Sequence, residues 1–261
     1  MSLFISHGAP TLLLDDTPAH QFLKIFGRAM PGPEAIIIVS AHWETTNPII
    51  GAHSAPPLIR DFSGFPRALY TFTWPVTGNP ELSKHVHNTL AKAGFPALLD
   101  DKRGLDHGAW VPLSLLDPDA LIPVIPISLP TSYDTTRLWQ LGQTLAALEK
   151  EGFLLIGSGS LTHNLRARSP HWESAAHPSV ERFMTPLREA LAHGDREALQ
   201  AWTNLPLAEW HHPSPEHFLP LLIAAAADGS AHCHHQSTEY GVLAMDCWQF
   251  GETPTLSKAT D

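Results

Sequence analysis

The chain has 261 residues, 43% of them hydrophobic, and a formal charge of −10 at neutral pH. No block of lysine or arginine relieves that acidity, which excludes nucleic acid and anionic membrane as expected partners, because both are bound through clustered positive charge. Two cysteines, Cys233 and Cys247, are too few for a disulfide framework, and the longest uncharged apolar run, 218–227, is too short to cross a bilayer; a cytoplasmic location is expected.

An apolar run at 3–6 predicts a buried strand, and apolar residues at helical spacing follow over 19–30. A second strand is predicted at 35–40 and a weaker one at 49–52. The Pro- and Gly-rich stretch 54–78 reads as a loop that lines a site. Asn79-Pro80 starts a helix over 81–93, and 97–100 is a weak strand. Beyond a strand at 123–129, Asp134 caps a helix over 135–150, and another strand covers 153–157. A second site-lining loop is expected at 169–178, then helices at 179–192 and 196–203. Ser214-Pro215-Glu216 opens a last helix over 216–227, and a strand is predicted at 241–248. With no repeat or linker, this alternation predicts a single-domain α/β sandwich over 1–261, its mostly parallel or mixed central sheet flanked by helices.

Histidine is the unusual component: the chain has 17, against 16 lysines and arginines together. Three apolar runs each lead into one: 3–6 into His7, 35–40 into His42, and 153–157 through a Gly/Ser turn into His163. Ligands of open α/β sheets sit beyond the carboxyl ends of the strands. If these strands are parallel neighbours, three imidazoles meet at one edge, and a metal site is the economical reason to gather them. His107 in "LDHGAW" fits the same edge, with Asp106 either orienting its ring or capping the next turn. Glu216 and His217 in "PSPEHF" fit it too, either one able to complete a metal shell.

The remaining histidines have simpler readings. His85 and His87, two apart on a helix, share no face. His171, His177, His193, His211 and His212 read as solvated, and His20 and His53 have no partner that the sequence names. "HCHH" at 232–235 reads as part of a hairpin at the sheet edge rather than a metal tract. There is no G-x-S-x-G, P-loop, dinucleotide fingerprint or H-E-x-x-H, so a metal with open positions is the surviving route to catalysis.

Six blocks, "SHGAP" (6–10), "VSAHW" (39–43), "DFSGFPRALY" (61–70), "LDHGAW" (105–110), "GSGSLTHNL" (157–165) and "PSPEHFLPLL" (213–222), together with the C-terminal "GVLAMDCWQFG", span nearly the whole chain. In these the chain resembles the class III extradiol ring-cleavage dioxygenases, most nearly their 4,5-DOPA extradiol dioxygenase-like branch. The resemblance implies a small aromatic diol and O2 as substrates, and one divalent metal. It matches His7, His42 and His217 to metal-binding positions, with Glu216 in reserve for His217. It matches His163 to an acid–base histidine or a fourth ligand, and His107 to a histidine that contacts substrate. Fe(II) is expected for turnover, because Zn(II) has no redox chemistry, while Zn(II) remains an alternative bound ion. One departure is "TFTWPVTG" after the third block, where Trp74 and Val76 are expected to reshape the pocket mouth. Tyr70, Phe65 and Trp43 line the ring slot or belong to the core. Two alternatives stay open: a zinc hydrolase on the same shell, and a non-catalytic binding protein of the same fold.

Overall fold

The computed structural model describes residues 1–251; residues 252–261 of the expected domain lie outside the described residues. The strands are β1 (Ser2–Ser6), β2 (Ala35–Thr45), β3 (Ile49–Gly51), β4 (Leu98–Asp100), β5 (Val124–Pro130), β6 (Phe153–Gly159), β7 (Ala231–His235), β8 (Thr238–Glu239), β9 (Leu243–Ala244) and β10 (Cys247–Phe250). Eight of them form one sheet in the order β4-β3-β5-β2-β6-β1-β10-β7, and β8 pairs with β9 in a separate ladder. The middle of the sheet, β5-β2-β6-β1, is parallel throughout, while β10 and β7 add antiparallel strands at one side and β3 runs antiparallel to β5 at the other.

Every residue of β1, β5 and β6 is buried, as a strand covered on both faces requires. Side chains alternate between the two faces. Leu3, Ile5, Ile36, Ile38, Leu154 and Ile156 pack toward the helices Pro18–Ala29 and His107–Leu116. Ile37, Val39, Ile125, Ile127 and Leu155 face Pro80–Lys92 and Thr135–Ala146. Phe4 and Trp248 pack with Pro178–His193 and Leu219–Ala224. The α/β sandwich is therefore as expected, with a mixed sheet. No helix among the described residues is long and apolar enough to cross a membrane.

Four elements differ from expectation, each for a physical reason. The segment 107–116 is a helix in which all ten residues are buried, so no polar face betrays its period. The last helix is shorter than 216–227, covering Leu219–Ala224; Pro220 occupies its first turn, where a missing N–H costs nothing, and Glu216 and His217 lie in the preceding turn. The strand expected at 241–248 is split into β9 and β10. Between them Asp246, fully buried, accepts two hydrogen bonds from the Arg188 guanidinium (2.9 and 3.0 Å), a pairing that a continuous strand would not place there. Finally, β2 runs past residue 40 to Thr45, with a break in its register against β5 between Ser40 and Glu44. The "HCHH" tract is β7, the outermost strand beyond β10, as read.

The helix Pro18–Ala29 crosses the buried helix so closely that a Cβ at Gly27 would collide with the Leu116 carbonyl. Gly27→Ala is expected to lower stability by about 1–3 kcal/mol, since the two backbones must separate. An unchanged urea midpoint would show that this contact yields freely.

Candidate metal centre and active site

Because β2, β6 and β1 are adjacent and parallel, their carboxyl ends open on one edge of the sheet. His7 follows β1 directly and its N–H donates to the Gly159 carbonyl of β6 (3.0 Å). His42 sits inside β2, in the register break, so the bulge turns its ring out of the ladder. His107 is the first residue of the buried helix, capped by the Asp106 side chain, which accepts from the Ala109 N–H. His163 follows β6, its N–H bonded to the His211 carbonyl (2.9 Å). His217 is tied to the same segment through its carbonyl, which accepts from the Ser160 N–H (2.8 Å).

These five imidazoles form one cluster. Nε2 of His7 and Nε2 of His42 are 3.2 Å apart. The His217 ring lies 5.4 Å from His7 and 4.9 Å from His42, centroid to centroid, and His107 lies 4.0 Å from His42. His163 is stacked flat on His217, with centroids 3.4 Å apart and planes 13° from parallel.

Groups behind the rings decide which nitrogen faces inward. The Ser158 hydroxyl donates to the Gly108 carbonyl, so it accepts from His7 Nδ1–H (2.9 Å) and leaves the His7 Nε2 lone pair inward. Glu216 Oε1 accepts from His217 Nδ1–H (2.9 Å), and His217 Nε2 is buried with no hydrogen-bond partner. Asp61 accepts from the Nδ1–H (2.8 Å) and the backbone N–H (3.1 Å) of His107, and its other oxygen is 3.7 Å from His42 Nδ1. Asp61 is held there because its loop is pinned by Ile59 N–H to Leu105 O and by Trp110 Nε1–H to Ile59 O.

The electrostatics keep His7, His42 and His163 neutral. Burial first, and then the surrounding imidazoles, hold His7 well below the ordinary histidine value, bring His42 down to about 2 and His163 to about 3. Burial alone would raise Glu216, but hydrogen bonds from His217, its own backbone and Ser214 bring it down to about 2. Two ring nitrogens 3.2 Å apart, with an orphaned buried nitrogen beside them, are spaced to share a cation. His7, His42 and His217 offer three nitrogens within 4.8 Å of one another, and this donor set fits a divalent ion. Two further groupings of that size exist among the described residues, His42–Asp61–His107 and His163–Glu216–His217.

Beside the cluster opens a cavity of about 400 Å3, lined by the five histidines, Phe62, Phe65, Leu165, Leu243, Ser160 and Arg168. The loop 54–78 reaches it through Phe62 and Phe65, as expected. The loop 169–178 does not line it; it packs on Tyr240 instead, through Ser169 N–H and the Trp172 carbonyl. Trp74 and Val76 do not shape the mouth either. Both are buried in the core, with Trp74 Nε1–H bonded to Asp117 O (2.9 Å), because an indole can fill apolar space while satisfying its one donor. Tyr70 and Trp43 are absent from the lining, and Trp43 lies under the Arg103 guanidinium.

Sequence reasoning missed Asp61, Ser158 and Gly108. Asp61 opens "DFSGFPRALY" and Ser158 lies in "GSGS", but nothing local says which imidazole either will meet. A Cβ at Gly108 would lie 2.5 Å from Ser40 Oγ and 2.8 Å from His42 Cδ2, so only glycine lets the helix start so near the cluster. Asp106 does not orient the His107 ring; it caps the helix and accepts from Ser40 Oγ (2.6 Å).

His211 and His212 are not solvated. Both are buried, with Nε2–H donated to Ser179 O and Leu161 O (2.9 Å each), so their rings serve as backbone clamps. His20 and His53 also have partners, the Leu12 carbonyl and the Ala55 N–H.

The arrangement, a histidine cluster fit to hold a metal at the carboxyl edge of a mixed sheet with a cavity beside it, defines the class: a metal-dependent enzyme acting on a small molecule. Residues 1–246 match the family described as the catalytic LigB subunit of aromatic ring-opening dioxygenase. A 4,5-DOPA dioxygenase extradiol from Beta vulgaris is 41% identical, over 97% of either chain, and one from Escherichia coli K12 is 36% identical, over 96% of this chain and 94% of its own. The crystal structure of an uncharacterized Escherichia coli K12 protein superposes with a TM-score of 0.81 at 30% identity, covering 96% of this chain and 99% of that one. The chain therefore belongs to the LigB family of extradiol aromatic ring-opening dioxygenases. The hydrolase and binding-protein alternatives find no support among these relatives.

Burial brings His212 down to about 4, so its ring stays neutral in the fold while the unfolded chain takes up a proton below pH 6.5. Its stabilising share is thus full above pH 6.5 and is lost as pH falls toward 4. The stability difference between the metal-free wild type and His212→Gln should shrink by about 2 kcal/mol between pH 7.5 and 4.5. A constant difference across that range, in urea titrations, would contradict the assignment.

Proposed function

We propose that the enzyme opens the ring of a small DOPA-like catechol with O2, using Fe(II) held by His7, His42 and His217. The observation that carries this is the convergence of three ring nitrogens at the end of an apolar cavity, with the far nitrogens of His7 and His217 hydrogen-bonded to fixed acceptors and that of His42 3.7 Å from Asp61. In the two other groupings the carboxylates are already engaged, Asp61 by His107 and Glu216 by His217, which favours His217 over Glu216 as the ligand. The relatives named for DOPA favour the substrate class. Unpaired Cys233 and Cys247 fit a reducing compartment, the cytoplasm.

When bound, Fe(II) supplies a positive charge for the catecholate and a one-electron relay to O2 that Zn(II) lacks. The chain's own residues do the rest. His163, stacked on His217 and outside the His7–His42 pair, is neutral and takes the proton of one substrate hydroxyl, then returns it later in the cycle. His107, its Nδ1–H held by Asp61, presents Nε2 to the cavity as an acceptor for the second hydroxyl. Phe62, Phe65 and Leu243 displace water around the ring.

Anaerobic loading with Fe(II), followed by a catechol and oxygen, should consume one O2 per catechol and give a yellow ring-fission product, while the Zn(II) form consumes none. Firmly bound iron with no uptake on any catechol would sink the reading. His42→Ala should lose most of its metal with its far-ultraviolet dichroism unchanged. His163→Gln should keep its metal and lose about 100-fold or more in turnover; if it lost metal as His42→Ala does, His163 would be a ligand.

A further inference from the structure

One cation lines the cavity, Arg168, at its exposed side with Leu165 and Phe65. No carboxylate lines it, since Asp61 and Glu216 stand behind the histidines and are engaged there. In a chain with ten more acidic than basic residues, Arg168 makes no ion pair among the described residues. Its guanidinium instead lies over the face of Tyr240, 4.9 Å from the ring centroid. That ring is itself fixed, its hydroxyl bonded to Thr11 Oγ1 (2.8 Å) and donating to Asp15 Oδ2 (3.3 Å). A guanidinium seated on an aromatic face keeps its N–H edges free, and those edges match a carboxylate with two parallel hydrogen bonds.

We propose that Arg168 is a specificity-determining residue that pairs with a carboxylate on the side chain of the catechol. The proposal rests on the assignment of the histidine end to the two ring hydroxyls; the arginine then reads the substituent. Catechols with an acidic side chain are preferred over neutral ones. A catechol whose side chain carries only an ammonium gains nothing, because the lining offers it no carboxylate and one repelling cation.

The test is equilibrium binding by calorimetry to the Zn(II)-loaded protein, which does not turn over, with three ligands: 3-(3,4-dihydroxyphenyl)propanoate, 4-ethylcatechol and dopamine. The propanoate should bind about tenfold tighter than 4-ethylcatechol at low salt, with the gap narrowing as salt is added, since Arg168 is exposed. Dopamine should bind no tighter than 4-ethylcatechol. Arg168→Gln should close the gap by weakening the propanoate alone, and Arg168→Lys should restore part of it. Equal affinity of the wild type for acid and neutral ligand, or equal weakening of both in Arg168→Gln, overturns the assignment. The Fe(II) enzyme separates this from the reaction itself. Ring opening with the same kcat/KM for acid and neutral catechols leaves the reaction standing and removes Arg168's role. Selective binding without ring opening of either does the reverse.

Discussion

Five imidazoles with neighbouring centroids as close as 3.4 and 4.0 Å cannot all be charged, and every other feature of the site answers to that constraint. Neutral rings carry one proton each, and that proton must face away from the centre if the lone pairs are to face in. The chain therefore needs acceptors behind the inward rings, and it places Ser158 behind His7, Glu216 behind His217 and Asp61 behind His107, with the second Asp61 oxygen 3.7 Å from His42 Nδ1. The acceptors need support in turn. Ser158 is set as an acceptor only because its own proton goes to Gly108, and Asp61 only because Ile59 and Trp110 pin its loop.

This chain of dependence explains why the helix 107–116 is buried all round. Its N-terminus supplies His107, the Gly108 carbonyl and the close approach at Gly108, while its body is gripped between the sheet and the helix 18–29. Asp106 at its cap ties Ser40 to the start of the bulge in β2 that presents His42. The histidine cluster and the core are thus one construction, joined at Gly108, where a Cβ would meet Ser40 and His42. Across the cavity the design is looser. Arg168 and Leu165 are exposed, on a segment tied down through Tyr240, where variation in the substrate's side chain can be met without disturbing the histidines.

Much of this was legible in the primary structure. The buried strands announced themselves as uninterrupted apolar runs, and His7, His42 and His163 stood out because each follows such a run. The six ordered motifs carried the family. What failed to show was what lacks a local signal: the helix 107–116, apolar on every side; the division of 241–248 by Asp246, whose partner Arg188 lies 58 residues away; and the burial of His211 and His212, whose backbone partners lie 32 and 51 residues away.

The sequence by itself determined the strands, the residue types at their ends and hence the family, since these depend on periodicity and order along the chain. Only the tertiary structure decided that β2, β6 and β1 are neighbours, that Asp61 rather than Asp106 orients His107, and that Glu216 stands behind His217 rather than beside it. The physical reason is range. A hydrogen bond that sets a tautomer acts over about 3 Å, and residues as far apart as His7 and Ser158, 151 positions along the chain, come within it only when the sheet is assembled.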